Sequence, residues 1–239
     1  MTAAPATLDE LDWMIDLLAE RRAPLVDFAP VFWRPAPQAR AAHRTFIAHV
    51  VTDGGGRAYR TADAVLIAAP RGDGWLVDDA FVRGEQWLAT PDGRDLWNAL
   101  AGDCAGSQVR FVCPTYETQR AAFATEVGLA VQESWWLLEL SGGGGEAGLT
   151  VPLPGAYAVT LAAPPVYAPP GPMLFLPNPV DASIAIPAAV ERAVELGCAG
   201  VVVNQTAYDL ALAAQLAKAG FRRHCDYFSG EIRPLHRAH

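Results

Sequence analysis

Residues 109–140 read VRFVCPTYETQRAAFATEVGLAVQESWWLLEL, and residues 201–232 read VVVNQTAYDLALAAQLAKAGFRRHCDYFSGEI. The two stretches align without a gap at a constant separation of 92 residues. The alignment places Tyr116 on Tyr208 and Gly128 on Gly220. Each copy has the pattern of a strand, a helix, a glycine, a strand and an aromatic-rich strand. Because a repeated supersecondary unit reports on architecture, the chain is expected to contain two related lobes.

The composition narrows the class of protein. A chain of 239 residues with 51% hydrophobic residues can form one large domain or two modest ones. The net charge of −8 argues against a general nucleic-acid surface. No apolar run reaches the roughly 18 residues that a membrane span needs, and residues 1–9 do not resemble a signal peptide. The four cysteines form no CxxC motif, so we expect buried free thiols in a cytoplasmic protein and no metal site.

Hydrophobic periodicity predicts a mixture of helices and short strands. Helices are predicted over residues 8–21, 37–50 and from residue 92, and antiparallel strands at 58–61, 64–69 and 75–82. Residues 141–148 contain five glycines, which is typical of a flexible linker. The predicted organisation is therefore an N-terminal domain at 1–140, a Gly-rich linker at 141–155 and a C-terminal domain at 156–239. His236 and His239 in the tail are expected to be solvated.

This order of elements resembles the GNAT acyltransferase superfamily. Residues 77–82, with the sequence VDDAFV, look like the central splayed strand against which acyl-CoA lies in that family. The two repeat copies look like the C-terminal half of the GNAT fold, so the chain resembles a tandem or pseudo-tandem member with a reduced second lobe. The resemblance implies an α+β fold with two lobes, each a mixed, mostly antiparallel sheet flanked by helices.

The resemblance also implies a site for acetyl-CoA. In the family, a glycine-containing loop and the following helix N-terminus hold the pyrophosphate, because free backbone N–H groups and the helix dipole favour an anion. The equivalent stretch here is residues 90–95, in which Gly93 matches the first glycine and Asp95 replaces a small residue. Arg94 or Arg83 would compensate for the acidic residues. A backbone N–H near Val82 would polarise the thioester carbonyl.

The acid and base of such a reaction are less clear in the sequence. Many family members carry a tyrosine that protonates the leaving thiolate, and here Ala124 and Leu216 stand in its place. Asp79 is predicted as the general base because it lies on the central strand, and a salt-bridged or solvated Asp79 is the alternative. Glu133 beside the tryptophan pair is a second candidate, and an exposed strand-end glutamate is its simpler interpretation.

The sequence therefore leaves two functions open. The first is an acetyl-CoA-dependent N-acetyltransferase that acts on a small amine and has no metal, nucleic-acid or membrane partner. The second is a non-catalytic GNAT-fold protein that binds a different ligand or a protein, and a homodimer is compatible with either. Four tryptophans either line an aromatic substrate pocket or fill the core: Trp33, Trp75, Trp87 and Trp135. An open groove at residues 90–95 would favour the enzyme, and a filled groove the binding protein.

Overall fold

The computed structural model describes residues 2–235, so His236 and His239 lie outside it. The helices are α1 (Leu11–Arg22), α2 (Leu25–Phe28), α3 (Ala39–Val51), α4 (Asp92–Cys104), α5 (Thr118–Glu126), α6 (Ala182–Glu195) and α7 (Leu210–Lys218). The strands are β1 (Ala4–Pro5), β2 (Arg57–Arg60), β3 (Ala64–Arg71), β4 (Gly74–Val77), β5 (Ala80–Val82), β6 (Gln108–Pro114), β7 (Ala130–Glu139), β8 (Thr150–Leu153), β9 (Ala156–Leu161), β10 (Met173–Pro177), β11 (Gly200–Thr206) and β12 (Arg222–Glu231).

The described chain forms two compact units. Unit 1 contains residues 2–23, 40–131 and 226–235, and unit 2 contains residues 24–39 and 132–225. These units do not follow the predicted division at residues 141–155. Strand β7 is the last strand of the first repeat copy, and most of it belongs to unit 2. Strand β12 is the last strand of the second copy, and most of it belongs to unit 1. The two repeat copies have thus exchanged their terminal strands between the units.

Unit 1 is built on a mixed sheet with the strand order β1-β2-β3-β4-β6-β12, and β5 pairs with β3. Strand β3 alternates its side chains between two cores, as a strand with a period of two must. Val65 and Ile67 pack with the helices α1 and α3, whereas Leu66 packs with buried residues of α4 and α5. Helices therefore cover both faces of this sheet, and the residues of the predicted acyl cleft all lie in this unit.

Unit 2 has the strand order β7-β11-β10-β9-β8, in which the β10–β11 pair is parallel and the other pairs are antiparallel. Leu174 and Val201 pack with α6 and α7 on one face of the sheet. The other face contacts apolar residues of the segment Pro24–Ala39, including Phe32 and Trp33. The prediction of an α+β fold with mixed, mostly antiparallel sheets and a smaller second lobe is confirmed.

The glycine-rich stretch at residues 141–148 packs tightly within unit 2. The backbone N–H of Gly144 donates to the carbonyl of Pro170 at 2.9 Å. A Cβ atom on Gly142 would lie 2.6 Å from the carbonyl oxygen of Cys198. These glycines therefore allow close backbone approach, which is a different role from the flexible linker that composition predicts. No helix within residues 2–235 is long and apolar enough to cross a membrane.

Candidate functional site

The strands of the predicted acyl cleft separate where the sequence predicts a splayed strand. Strand β4 pairs in parallel with β6 from Trp75 opposite Val109 to Val77 opposite Phe111. After a short break at residues 78–79, β5 pairs with β3 instead of continuing beside β6. The predicted single strand over residues 75–82 is thus two strands. The space between β5 and the last residues of β6 corresponds to the cleft that holds the acyl group in the GNAT fold.

The side chain of Arg120 fills this space. It extends from α5, has no exposed surface, and donates from Nε to the carbonyl of Val112 on β6 at 2.8 Å. Its Nη2 donates to the carbonyl of Asp78 at 2.9 Å, and its Nη1 donates to the carbonyl of Ala80 on β5. One guanidinium group therefore binds backbone carbonyls on both sides of the opening. Backbone carbonyls that line the opening are therefore occupied by a side chain of the protein.

A second buried arginine completes the network. Arg21 on α1 donates to the carboxylate of Glu117 from Nε at 2.8 Å and from Nη2 at 3.1 Å. Its Nη1 donates to the carbonyl of Asp78 at 2.7 Å. The Glu117 carboxylate also lies 3.5 Å from the Nε of Arg120. A buried charge needs a partner and hydrogen bonds, and here two guanidinium groups share one carboxylate.

Aromatic rings and one further carboxyl group surround the Arg120 guanidinium. Its central carbon lies 4.5 Å from the ring centre of Phe111 and 5.5 Å from that of Trp87. Glu85, in the turn after β5, belongs to the same environment. Burial, together with the negative charge of Glu117, raises the pKa of Glu85 to about 7. The cleft is therefore desolvated and contains a carboxyl group that titrates near neutral pH.

The predicted pyrophosphate loop lies at the start of α4. Gly93 is buried, and a Cβ atom there would lie 2.7 Å from the carbonyl oxygen of Trp87, so this glycine packs against the protein's own backbone. Arg94 forms an ion pair with Glu126 at 2.7 Å. Both side chains and Asp95 line a groove of about 750 Å³ beside α4. With two carboxylates and one guanidinium, these three residues carry a net negative charge, which disfavours a pyrophosphate.

The predicted general base, Asp79, faces α1 and α3. His43 Nε2 lies 3.1 Å from its carboxylate, and Arg22 Nη1 lies 4.0 Å away. Arg22 Nη1 is also 2.8 Å from His43 Nδ1, which assigns the ring proton to Nε2 because arginine can only donate. Burial alone would raise the pKa of Asp79, but His43 and the two guanidinium groups of Arg22 and Arg21 outweigh it and lower the pKa. Asp79 is thus a partly buried ion-pair acceptor with reduced basicity.

An Asp79→Asn variant is expected to be about 1–3 kcal/mol less stable than the parent at pH 7, because His43 and Arg22 lose a charged acceptor. The folded state lowers the pKa of Asp79. The stabilisation of the folded state by the ionised Asp79 carboxylate is therefore present above the unfolded-state pKa of about 3.9. It is lost as the pH falls through the folded-state pKa. Urea unfolding at pH 7 and pH 3 measures this difference.

Asp12→Asn is the control for that comparison, because Asp12 is 63% exposed and pairs with Arg40 and Arg44 at the surface. Its loss should cost less than about 1 kcal/mol at either pH. Equal stability of Asp79→Asn and the parent at pH 7 would show that the ion-pair cluster contributes nothing.

The remaining predicted residues are distributed between the two units. Val82 is buried on β5 opposite Ala64, and a role for its N–H group in polarising a thioester stays a prediction. Trp75 and Trp87 belong to unit 1, and Trp33 and Trp135 to unit 2. Trp87 is a core residue with no exposed surface. Within residues 2–235, no group of three His, Cys, Asp or Glu side chains is arranged to hold a metal ion.

The equivalent region of unit 2 also lacks a free anion site. Helix α6 connects the parallel strands β10 and β11, as α4 lies between the parallel strands β4 and β6 in unit 1. Its N-terminal N–H group at Ser183 donates to the side chain of Asp181 at 3.1 Å. Residues 178–186 contain no glycine, so the sequence predicts that this region does not bind CoA in the family's way. A carboxylate at the helix N-terminus supports that prediction, since it occupies the position that favours an anion.

Little in the sequence indicates the residues that fill the cleft. Arg21, Glu85, Glu117 and Arg120 were not identified as site residues. The available signal was a pair of opposite charges, Glu117 and Arg120, at the start of a helix that directly follows an apolar strand. Charged side chains at the start of α5 lie close to the end of β6 and extend into the space beside it.

Comparison with known structures identifies the fold. The chain is similar to a tandem GNAT protein from the clavulanic acid biosynthesis pathway, with 14% identity, a TM-score of 0.50 and coverage of 98% of this chain and 99% of that one. It is also similar to a candidate acetyltransferase from Thermoplasma acidophilum, with 12% identity, a TM-score of 0.56 and coverage of 97% and 100%. A third such protein, from Pyrococcus horikoshii, gives 9% identity, a TM-score of 0.54 and coverage of 97% and 89%.

The chain therefore has the fold of the GNAT acetyltransferase superfamily over nearly its whole length, as its sequence resemblance predicts. No protein-family description and no curated protein sequence matches the chain. Because identity is low in all three structural matches, the likeness defines the fold, and activity has to be argued from the site.

Proposed function

We propose that this chain is a GNAT-fold binding protein in which the cleft of unit 1 does not bind acetyl-CoA or transfer acetyl groups. The observation that carries the proposal is the Arg120 side chain, which is fully buried and donates to carbonyls of both β5 and β6. In the GNAT family, acyl-CoA lies against the central splayed strand, which here corresponds to residues 77–82 and includes the Ala80 carbonyl. The cleft is filled by the protein itself.

The energy needed to open the cleft supports this proposal. Removing one partner of a buried ion pair costs about 3–5 kcal/mol, and a ligand that expels Arg120 from Glu117 and three carbonyls has a comparable cost to overcome. Each 1.4 kcal/mol weakens binding tenfold, so this cost lowers affinity by roughly 100- to 4,000-fold. A micromolar ligand would then bind only at high micromolar to millimolar concentrations.

The charges near the predicted pyrophosphate site act in the same direction. Asp92 and Asp95 lie in the first turn of α4. The N-terminus of a helix favours a bound anion, but these two carboxylates repel a phosphate group at that position. The guanidinium of Arg94 is already paired with Glu126. Neither the acyl end nor the phosphate end of acetyl-CoA therefore finds a prepared partner in unit 1.

The second candidate is an acetyl-CoA-dependent N-acetyltransferase that acts on a small amine. The GNAT fold, the separation of β5 from β6 and the open groove of about 750 Å³ beside residues 90–95 support it, and Glu85 favours it specifically. A general base works best when its pKa lies near the working pH, and the pKa of Glu85 is raised to about 7. In this candidate, Arg120 moves aside, Gly93 and Arg94 face the phosphates, Val82 polarises the thioester, and Glu85 or Asp79 accepts the proton of the amine.

A turnover assay separates the two candidates. The full chain is incubated with acetyl-CoA and a panel of amines that includes spermidine and aromatic amines, and the release of free CoA thiol is followed. The binding-protein proposal predicts no release above the rate without protein at pH 6–9. Turnover that disappears in Glu85→Gln and persists in Asp79→Asn would overturn it and would identify Glu85 as the base.

A further inference from the structure

The turn that follows β5 holds a glutamate in a strained conformation. Residues 83–86 connect β5 to Trp87, which has no exposed surface. Within this turn, Gly84 and Glu85 have φ angles of 68° and 58°, both in the left-handed region. Glycine adopts that region readily, whereas a glutamate there is uncommon. Such strain persists only where the surrounding structure imposes it, and it occurs often in segments that switch between two conformations.

The carboxyl group of Glu85 is poorly suited to carry a charge in this position. Its Oε2 atom is buried and has no hydrogen-bond partner in the described structure, and the same is true of the neighbouring Trp87 Nε1 atom. An ionised carboxylate can only accept hydrogen bonds, and a buried acceptor without a donor is unfavourable. The neutral acid has a smaller cost of burial. The structure therefore favours a protonated Glu85 inside the cleft.

Charged groups from two helices face Glu85. Glu117 and Arg120 lie at the start of α5, and Arg21 lies on α1. Burial and the negative charge of Glu117 oppose the ionisation of Glu85, whereas the two guanidinium groups favour it. Both guanidinium groups already lie beside the Glu117 carboxylate. They are outweighed, even with a small favourable contribution from the Trp87 indole, and the pKa of Glu85 rises to about 7.

Both ends of the turn are fixed, so a movement can be confined to its two strained residues. At the start, the backbone N–H of Arg83 donates to the carbonyl of Asp63 at 2.9 Å. At the end, the carbonyl of Gln86 accepts from the backbone N–H of Thr90 at 3.2 Å. The strained pair lies between these hydrogen bonds, and its glycine is exposed to solvent. The pair can therefore rearrange without breaking either anchor.

We propose that residues 83–86 act as a pH-sensitive switch at the cleft of unit 1. With a protonated carboxyl group, Glu85 lies inside the cleft and the turn is closed. Once ionised, Glu85 rotates out to water and the turn is open. The movement relieves three costs together: the backbone strain, the unpaired buried oxygen and the repulsion from Glu117. It admits water to the Arg120 guanidinium and the Trp87 indole.

The switch is independent of the function proposed for the cleft. It concerns the movement of a turn in the ligand-free chain, and it holds whether or not unit 1 binds acetyl-CoA. Its consequence is that the hydration of the cleft beside β5 depends on pH. A test on the ligand-free chain therefore separates the failure of this proposal from the failure of the proposed function.

The pH range of the switch follows from the two positions of the carboxyl group. A glutamate in water has a pKa of about 4.3. In the closed turn, the pKa of Glu85 is about 7. The closed turn binds the proton more tightly, so it is favoured at low pH and loses that advantage as the pH rises toward 7. The equilibrium constant for opening should grow about tenfold per pH unit between about pH 5 and 7 and level off near pH 8.

Exchange of the Trp87 indole N–H with water tests the proposal in the ligand-free full chain. NMR measures the exchange rate between pH 5 and pH 8, and the rate is corrected for the intrinsic pH dependence of indole exchange. We expect the protection of this buried N–H to fall at least about tenfold over that range. The internal reference is the backbone N–H of Ile67 on β3, which donates to the carbonyl of Asp79 at 2.8 Å. Its protection should exceed that of Trp87 at every pH, because the turn opens without unfolding of the sheet.

Two variants at Glu85 identify the titrating group. Glu85→Gln keeps the size of the side chain and cannot ionise, so its Trp87 protection should stay at the low-pH value throughout. Glu85→Gly removes both the carboxyl group and the strain, and its Trp87 protection should also be independent of pH. Glu126→Gln is the matched control, because it removes a carboxylate of unit 1 that pairs with Arg94 at the surface. It should keep the pH dependence of the parent.

Three results would overturn the proposal. The first is a corrected Trp87 protection that does not change between pH 5 and pH 8 in the parent chain. The second is the same change in both Glu85 variants, because another group such as His43 would then be responsible. The third is equal protection of Trp87 and Ile67, because the opening would then be global. The measurements on the parent decide the first and third points even if a variant does not fold.

Discussion

Replacing Glu117 with alanine is expected to lower the free energy of unfolding by about 3–5 kcal/mol at pH 7, as is typical when one partner of a buried ion pair is removed. The carboxylate lies between Arg21 and Arg120, and all three side chains are buried. Without it, Arg120 keeps only carbonyl partners in a desolvated cleft, and Arg21 keeps the Asp78 carbonyl and a carboxylate 3.7 Å away on the exposed side chain of Asp78. Urea unfolding followed by tryptophan fluorescence reports on this change, because Trp87 lies beside Arg120.

The control for this experiment is Glu126→Ala. Glu126 also pairs with an arginine, but the pair with Arg94 lies at the surface, where ion pairs are worth less than about 1 kcal/mol. A loss for Glu117→Ala no larger than for Glu126→Ala would mean that the cleft is hydrated and that the buried network does not exist in solution.

The second large effect is expected from Phe228→Ala. Phe228 belongs to the second repeat copy, yet it is buried in the core of unit 1 with Leu66 and Phe111. Truncating a buried phenylalanine costs about 3–5 kcal/mol. Hydrogen exchange measured by mass spectrometry should therefore show lost protection in β3, α4 and β6 of unit 1.

Trp136 is the matched residue of the first copy, since it aligns with Phe228 in the repeat. It packs with the core of unit 2, and its Nε1 donates to Gln205 at 2.7 Å. Trp136→Ala is expected to lower protection in β10 and β11. If Phe228→Ala loosened unit 2 and Trp136→Ala loosened unit 1, the exchange of terminal strands between the units would be wrong.

The repeat and the local elements were predictable because they depend on short-range pattern. The predicted strand at residues 64–69 is β3, and the predicted helix from residue 92 is α4. From the sequence alone, Pro187 predicts a helix over residues 187–196, and that prediction is wrong, because α6 begins at Ala182 with Asp181 as its cap and contains Pro187 inside it. Proline is common at the first position of a helix, and that preference obscured the cap six residues earlier.

The exchange of terminal strands could not be predicted from the repeat. Both copies end in an aromatic-rich strand of the same length, so either strand satisfies the hydrophobic pattern at either sheet. The choice depends on which core Phe228 and Trp136 fit, which is a matter of packing between residues far apart in sequence. The hydrophobic pattern of a strand determines which of its faces is buried, but it does not determine which strand it pairs with.

The backbone elements around the candidate site were predicted from the sequence, and the side-chain contacts within it were not. The splay after Val77 and the start of α4 at Asp92 lie where the resemblance placed them. The occupation of the cleft depends on one long side chain that reaches from Arg120 to carbonyls about 40 residues earlier in the chain. No spacing rule reports such a contact. The lowered pKa of Asp79 likewise arises from His43 and Arg22, on two separate helices.

Calorimetric titration of the full chain with acetyl-CoA tests most directly whether the cleft of unit 1 is closed by its own side chains. With Arg120 bound to both strands and Arg94 paired, no saturable heat is expected below about 100 µM acetyl-CoA, given a cost of several kcal/mol for opening the cleft. One-to-one binding with a micromolar dissociation constant would contradict this account and would favour the acetyltransferase.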